Sequence, residues 1–260
     1  MPTIEDNLYW WEKGYDWGQQ GEEWSSPWTT EFLWWGTLLP RIHAFVPTGT
    51  ILEIAPGFGR LTQYLKDLCT SLIVIDIAER CIEACKQRFS SCSHITYHTN
   101  DGKSLDMIPD QSVDFVFSFD SLVYADPNAI EAYLRQLARK LKPNGVGFFH
   151  YSNLGSSAPF ISKLVPLQLR EKIIRAPDWQ DRGMSARLFE QFCEQAGLQC
   201  IAQELVGWPR MYPRLSECLS LFTQKDSVWS RPNKVFRNRN WQREGRYLAK
   251  LSRFYSASIL

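Results

Sequence analysis

The sequence predicts an α/β protein in which a parallel sheet is covered on both faces by helices. From residue 51 onward, short apolar runs alternate with longer stretches whose apolar residues recur at helical spacing. The runs are nearly continuous instead of alternating with polar residues, as strands buried on both faces require. The chain has 260 residues, 44% of them hydrophobic, with no repeat or low-complexity tract, which suits one core of this kind.

Residues 1–47 come before this pattern. Seven of the eleven tryptophans fall in the first 40 residues: Trp10, Trp11, Trp17, Trp24, Trp28, Trp34 and Trp35. Periodicity is poor until about Thr30, where EFLWWGTLLPRI reads as a helix packed on the sheet domain. Tryptophan joins a large apolar face to one N–H donor, which suits a pocket lid or a platform for a sugar ring. The plainer reading is a hydrophobic cap on the sheet edge. Taken as a group, the segment reads as a lid.

Residues 48–228 carry the sheet, with strands expected at 51–55, 72–76, 95–99, 113–119 and 146–151. Between them RLTQYLKDL, ERCIEACKQRF and AIEAYLRQLARKL read as amphipathic helices, and KPNG at 142–145 ends the last. Residues 154–184, with Pro159, Pro166 and Pro177, read as an acceptor-side insertion across the strand ends. A helix capped by Ser185 then stops at Gly197, a sixth strand starts at Leu198, and 215–225 is a candidate seventh. The tail, 229–260, has eight basic residues against Glu244 alone, a net of +7 in a chain of net +1. Within it Arg239, Arg243, Arg246, Lys250 and Arg253 form one helical stripe, and Trp241, Leu248, Leu251 and Tyr255 another. Such a helix either packs on the domain with a solvated charged face or lies peripherally on an anionic membrane, through 239–255.

Ligands of these sheets bind at the carboxyl ends of the strands. ILEIAPGFGR (51–60) is a strand broken by a turn at Gly57 and Gly59, and Asp76 ends the next strand. A tight turn with an acid about 20 residues on makes a nucleoside half-site. Thr62 and Arg60 occupy the places where a diphosphate fingerprint needs a third small residue, and Glu53 inside the strand is unusual for one. The other strand ends offer Ile77, Asp101 and Gly102, then Ser118, Phe119 and Asp120, then His150, Tyr151, Ser152 and Asn153.

Composition excludes several classes. No apolar run approaches the ~18 residues that span a bilayer, and no basic-then-apolar leader is evident. Seven cysteines without a CxxC pair fit a reduced, cytoplasmic protein, with Cys81 and Cys85 as core thiols. No histidine–carboxylate cluster has metal-ligand spacing, and His43, His94 and His98 lie away from the ligand edge, so no metal is expected.

In this order the pieces resemble the class I S-adenosylmethionine-dependent methyltransferases over roughly residues 48–225. EIAPGFGR resembles the family's glycine-rich first motif, with Ala55 and Arg60 where glycines are common. The resemblance implies a Rossmann-like seven-stranded sheet with its last strand antiparallel. It also implies S-adenosylmethionine as cofactor and S-adenosylhomocysteine as product. Asp76 then matches the acid holding both ribose hydroxyls, Ile77 the cover of the adenine face, and Asp101 with Gly102 the reader of the adenine amino group. Ser118 and Phe119 match the stretch near the methionine moiety. Glu53 matches the acid ordering the loop of Ala55, Pro56, Gly57 and Gly59.

The acceptor is read less directly. WW…W…PRI, FDSLVY and HYSN look similar to methyltransferases associated with polysaccharide and glycolipid modification. This implies O-methylation of a sugar hydroxyl in a glycan or glycoconjugate. His150 has a suitable ordinary pKa for the general base, with Asp120 orienting it or acting itself. Trp10, Trp11, Tyr15, Trp17, Tyr124, Tyr151 and Asn153 are the expected acceptor contacts. The alternatives are an O- or N-methyltransferase of a small secondary metabolite and a catalytically inactive cofactor-binding partner subunit. No nucleic-acid acceptor is expected, because no NPPY-like or PC-type motif comes after the fourth strand. Oligomeric state is not read from the sequence.

Overall fold

The computed structural model describes residues 3–25, 29–156, 180–207 and 215–256. Trp28 and most of the expected 154–184 insertion, with its three prolines, lie outside the described residues.

The sheet is built from β1 (Thr48–Ile54), β2 (Cys69–Asp76), β3 (Ile95–Thr99), β4 (Val113–Leu122), β5 (Leu141–Ser152), β6 (Leu198–Val206), β7 (Glu217–Gln224) and β8 (Val235–Arg237). Their order is β3-β2-β1-β4-β5-β7-β6-β8. The first five positions in this order pair in parallel, and β7 runs antiparallel between β5 and β6. The expected seven strands are all present. The eighth, β8, comes from the basic tail and pairs in parallel with β6. Its three residues are all exposed and offer no apolar run, so nothing in the pattern marked it as a strand.

Alternation along the strands divides the core into two layers. Ile51, Phe115, Phe117, Val146 and Phe148 face one side, where they meet Leu33, Trp34, Leu38, Ile42, Leu65 and Ile82. Leu52, Ile54, Val116, Phe149 and Tyr151 face the other, against α6 (Pro127–Lys140) and α7 (Ala186–Ala196). Both helices have the ends their sequences specify. Asp126 caps α6 by accepting from Ala129 N–H, with Pro127 in its first turn. Ser185 accepts from Leu188 N–H, and Gly197 stops α7 at φ +82°.

Thr3 and Asp6 form a capping box on α1 (Ile4–Tyr9), which continues as a π-helical turn to Gly14. The predicted helix near Thr30 is α2 (Thr30–Leu33), a π-helical turn at Trp34–Leu38, and α3 (Leu39–Ile42). On the first core face lie α4 (Thr62–Leu65) and α5 (Glu79–Arg88). The tail helix is α8 (Trp241–Ser256), and its Trp241 is buried in that same layer.

Candidate active site

The first turn sets the site. Ala55 leaves β1 at φ +57°, and Gly57 lies at φ +58°. An alanine in the left-handed region costs about 1–2 kcal/mol, so other contacts must hold it there. Ala55 N–H donates to Ile75 O at 2.7 Å, and Gly57 N–H donates to Asp76 Oδ2 at 3.3 Å. A Cβ on Gly57 would come within 2.8 Å of the Trp17 indole. The turn therefore binds the β2 acid below it and touches the N-terminal segment above it.

These elements enclose a cavity at the carboxyl ends of β1, β2 and β4. Glu53, Ala55, Pro56 and Gly57 line one side, Asp76, Ile77 and Gly102 the end beyond β2, and Phe119, Asp120 and Tyr124 the opposite end. Trp11 and Trp17, with Ile4, Asn7 and Trp24, close it from the N-terminal side. Trp17 stacks on Phe58 at 4.5 Å and 8°, and Trp11 meets Tyr124 at 5.2 Å. Asn7 Nδ2 donates to Tyr124 O at 2.9 Å, and Arg60 Nη1 donates to Ser25 Oγ at 2.8 Å. Residues 3–25 are thus tied across the strand ends.

The acids have distinct environments. Asp76 accepts from Ala78 N–H at 2.9 Å through Oδ1. Burial nevertheless pushes its carboxyl up to about 7, against those backbone donors. Burial likewise raises Glu53 to about 8, although it accepts from Thr62 Oγ1 at 2.6 Å. Asp120 sits at φ +64°, a region that Asp and Asn tolerate better than most residues. Its Oδ2 receives Arg60 Nη2 at 2.9 Å, with both side chains nearly buried. Burial raises its carboxyl, and the Arg60 charge opposes this.

Several expected site residues lie elsewhere. His150 is fully buried and stacks on Phe119 at 4.6 Å. Its Nδ1 accepts from Asp120 N–H at 3.1 Å, so Nε2 carries the proton and donates to Glu217 Oε2 at 2.9 Å. With both nitrogens used, His150 has no lone pair for an acceptor; it supports Asp120. Tyr151 points into the opposite layer, where it stacks on Phe189 at 4.5 Å and its hydroxyl meets Ser220 Oγ at 2.7 Å. Asn153 joins two backbones, accepting from Ala186 N–H and donating to Leu215 O, both at 2.9 Å. Antiparallel β7 seals this side of β5 and supplies Glu217 and Ser220, so the polar residues of HYSN are satisfied by neighbouring elements and not by an acceptor.

Three cofactor expectations and two lid expectations also need correction. Asp101 is exposed and accepts from Lys103 and Ser104 N–H, capping its own loop. Ser118 donates to Ile54 O at 2.9 Å, joining β4 to β1. Gly59 is required by packing, since a Cβ there would meet Phe89 at 2.6 Å. Of the Asp101–Gly102 pair, only Gly102 lines the cavity. Trp10 is 41% exposed, and Tyr15 gives its hydroxyl to Glu23 at 2.7 Å. Tyr15 reaches the site only through its ring's contacts with Trp11, Trp17 and Trp24.

Arg60, Trp24 and Glu217 were missed as site residues. Arg60 did carry a signal, a charged residue where the first motif commonly has glycine. Among the described residues no group of three His, Cys, Asp or Glu is placed to hold a metal ion.

A family described as a methyltransferase domain matches residues 51–145. That span holds the turn, Asp76 and Asp120. Residues 51–145 thus carry a methyltransferase domain, in a fold shared with solved S-adenosylmethionine-dependent methyltransferases. Phosphoethanolamine N-methyltransferase 1 of Triticum aestivum is 29% identical over 137 residues, 51% of this chain and 28% of that protein. The biotin biosynthesis bifunctional protein BioHC of Cellvibrio japonicus is 28% identical over 165 residues, 64% of this chain and 30% of that protein. The chain thus spans less than a third of the length of these curated relatives. The PH0226 protein from Pyrococcus horikoshii OT3 shares the fold at TM-score 0.55 and 22% identity, over 73% of this chain and 88% of that one. A DhpI–SAH complex does so at TM-score 0.54 and 16% identity, over 86% and 97%.

The residues present fit the cofactor. Asp76 retains lone pairs facing the cavity for a pair of hydroxyls, and Ile77 offers an aliphatic face beside Gly102. The left-handed turn at Ala55–Gly57 exposes backbone where an amino-acid end needs close approach.

Proposed function

We propose that the chain transfers a methyl group from S-adenosylmethionine to a small polar acceptor held between the tryptophan lid and Asp120. The observation carrying this reading is Asp120. It is a cavity-facing carboxylate, fixed by Arg60 and His150, at the opposite end of the same cavity from Asp76.

Asp76, Ile77, Gly102 and the Ala55–Gly57 turn would hold the cofactor, and Glu53 would order that turn through Thr62. The cofactor supplies an activated methyl group. The protein's work is then positioning, exclusion of water and reception of one proton. Asp120 would receive the proton that the acceptor gives up on methylation, or pass it to solvent.

Two acceptor chemistries remain. An amine is the leading one, because its lone pair needs little base assistance and no histidine among the described residues lines the cavity. The aromatic faces of Trp11, Trp24 and Tyr124 with a nearby carboxylate also suit an ammonium group before it loses its proton. The phosphoethanolamine N-methyltransferases among the relatives point the same way. The second reading is a sugar hydroxyl, supported by the same rings as a pyranose platform, and it needs Asp120 as base.

The test is transfer from labelled S-adenosylmethionine to amines, phosphoethanolamine among them, nucleotide sugars, lipid-linked sugars and phenols. Label in an amine with Asp120→Asn acting mainly on KM supports the first reading. Label in a sugar with Asp120→Asn lowering kcat by about 10²-fold or more supports the second. No transfer to any class, together with no cofactor binding, overturns both.

A further inference from the structure

The tail helix α8 carries two unlike faces. Its inner face is fixed to the domain. Trp241 is buried, with Arg41 over its ring at 4.9 Å. Leu248 lies so close to Gly36 that a Cβ there would meet it at 2.1 Å. Arg41 also pairs with Glu204 at 2.6 Å and with Glu244 at 3.5 Å, and Asn238 bridges the same two acids. The helix therefore belongs to the folded body and holds its other face outward.

That outer face is apolar along one stripe and basic along the next. Tyr247, Leu251 and Phe254, at i, i+4 and i+7, are 66%, 39% and 71% exposed. Arg243, Arg246, Lys250 and Arg253 are exposed on the flank of this stripe. Residues with side chains so long and so apolar are seldom left in water together, and 229–260 holds +7 of charge in a chain whose total is +1. The charge selects an anionic occupant. The aromatic stripe on a convex helix, flanked by cations on one side, matches a bilayer interface: rings enter the headgroup boundary while guanidinium groups meet phosphates.

We infer that the outward face of α8, centred on Tyr247, Lys250, Leu251 and Phe254, docks the protein on an anionic lipid surface. No helix among the described residues is long and apolar enough to cross a membrane, and the proposed contact lies along the surface of α8. This inference stands apart from the acceptor reading, since none of these residues lines the cavity.

The experiment is co-sedimentation of the full chain with phosphatidylcholine vesicles, with and without phosphatidylserine. Wild-type protein is expected to pellet only with the serine-containing vesicles. Each basic residue removed from the face should weaken partition about fivefold at low salt. The double variants Tyr247→Ser/Phe254→Ser and Arg243→Glu/Lys250→Glu should each remain in the supernatant at physiological ionic strength. All four positions are solvent-facing, so circular-dichroism melting of both variants should match wild type. No pelleting of wild type even at low salt would overturn the inference. Wild-type pelleting by the aromatic variant would also overturn it, leaving charge-only adsorption of the kind an acidic protein would share.

Discussion

The two ends of the cavity are built on opposite principles. At the β1–β2 end the polar groups face the ligand space: Asp76, Glu53 and the turn's backbone. At the β4–β5 end most of them face one another. His150 and Glu217 are hydrogen-bonded inside the sheet, while Asp120, held by Arg60, reaches the cavity. The cause is topological. Parallel neighbours leave the carboxyl ends of β1 and β2 open to the cavity, whereas antiparallel β7 starts at the carboxyl end of β5, with Ser152 opposite Glu217, and closes it. An open strand end turns its residues into ligand contacts; a closed one turns them into scaffold.

The hardest test of this contrast is Gly57→Val. The new side chain would need φ +58° and would collide with Trp17, so cofactor affinity should fall below detection in a calorimetric titration. Near-normal affinity would break the description of the open end.

Asp120→Asn comes next. Asparagine accepts the left-handed backbone, so the fold should persist, while kcat/KM for the acceptor falls at least about tenfold and cofactor affinity is unchanged. Equal loss of cofactor binding would mean that the two ends are not separate.

A third effect comes from burial. Asp76 and Glu53 rise from ordinary values of 3.8 and 4.5 to about 7 and about 8 on folding, so the folded chain holds protons that the unfolded chain releases. Their contribution to stability is therefore fullest below about pH 4 and is lost as pH rises through about 7 and 8. The Tm of cofactor-free protein should fall between about pH 5 and about pH 8, and Glu53→Gln should flatten that fall. Hydroxyls donating to Asp76 favour its ionised form, so cofactor affinity should increase over the same range and level off above about 7. Affinity independent of pH would place the hydroxyls elsewhere.

The smallest effect on turnover is expected at the sealed end. His150→Ala should cost about 3 kcal/mol of stability, through lost packing and an under-satisfied Glu217, yet leave the shape of the pH–rate profile unchanged. Loss of one limb of that profile would restore His150 as the base.

The fold was legible because burial writes itself into residue type. Strands covered on both faces must be apolar, and Ser185 and Gly197 are residue types that helix ends favour. The open half of the site was legible for a similar reason, since Gly57 and Asp76 answer to local backbone and a fixed spacing. The other half was not. Whether the side chain of His150 meets an acceptor or Glu217 depends on a strand 67 residues later, and one-dimensional pattern holds no trace of that pairing. Asp101 misled for the opposite reason, because an aspartate just before Gly102 serves equally well to cap its own turn. In the tail, spacing gave the helix but not which stripe docks. Trp241 and Leu248 turn inward, while Leu251 and Tyr255 of the same expected stripe face water.

The most direct test of the two-ended site is one calorimetric comparison: S-adenosylmethionine titrated into wild type, Gly57→Val and His150→Ala. Binding by wild type and His150→Ala with none by Gly57→Val is the predicted result. Wild-type affinity retained by Gly57→Val, or lost by a folded His150→Ala, would contradict it.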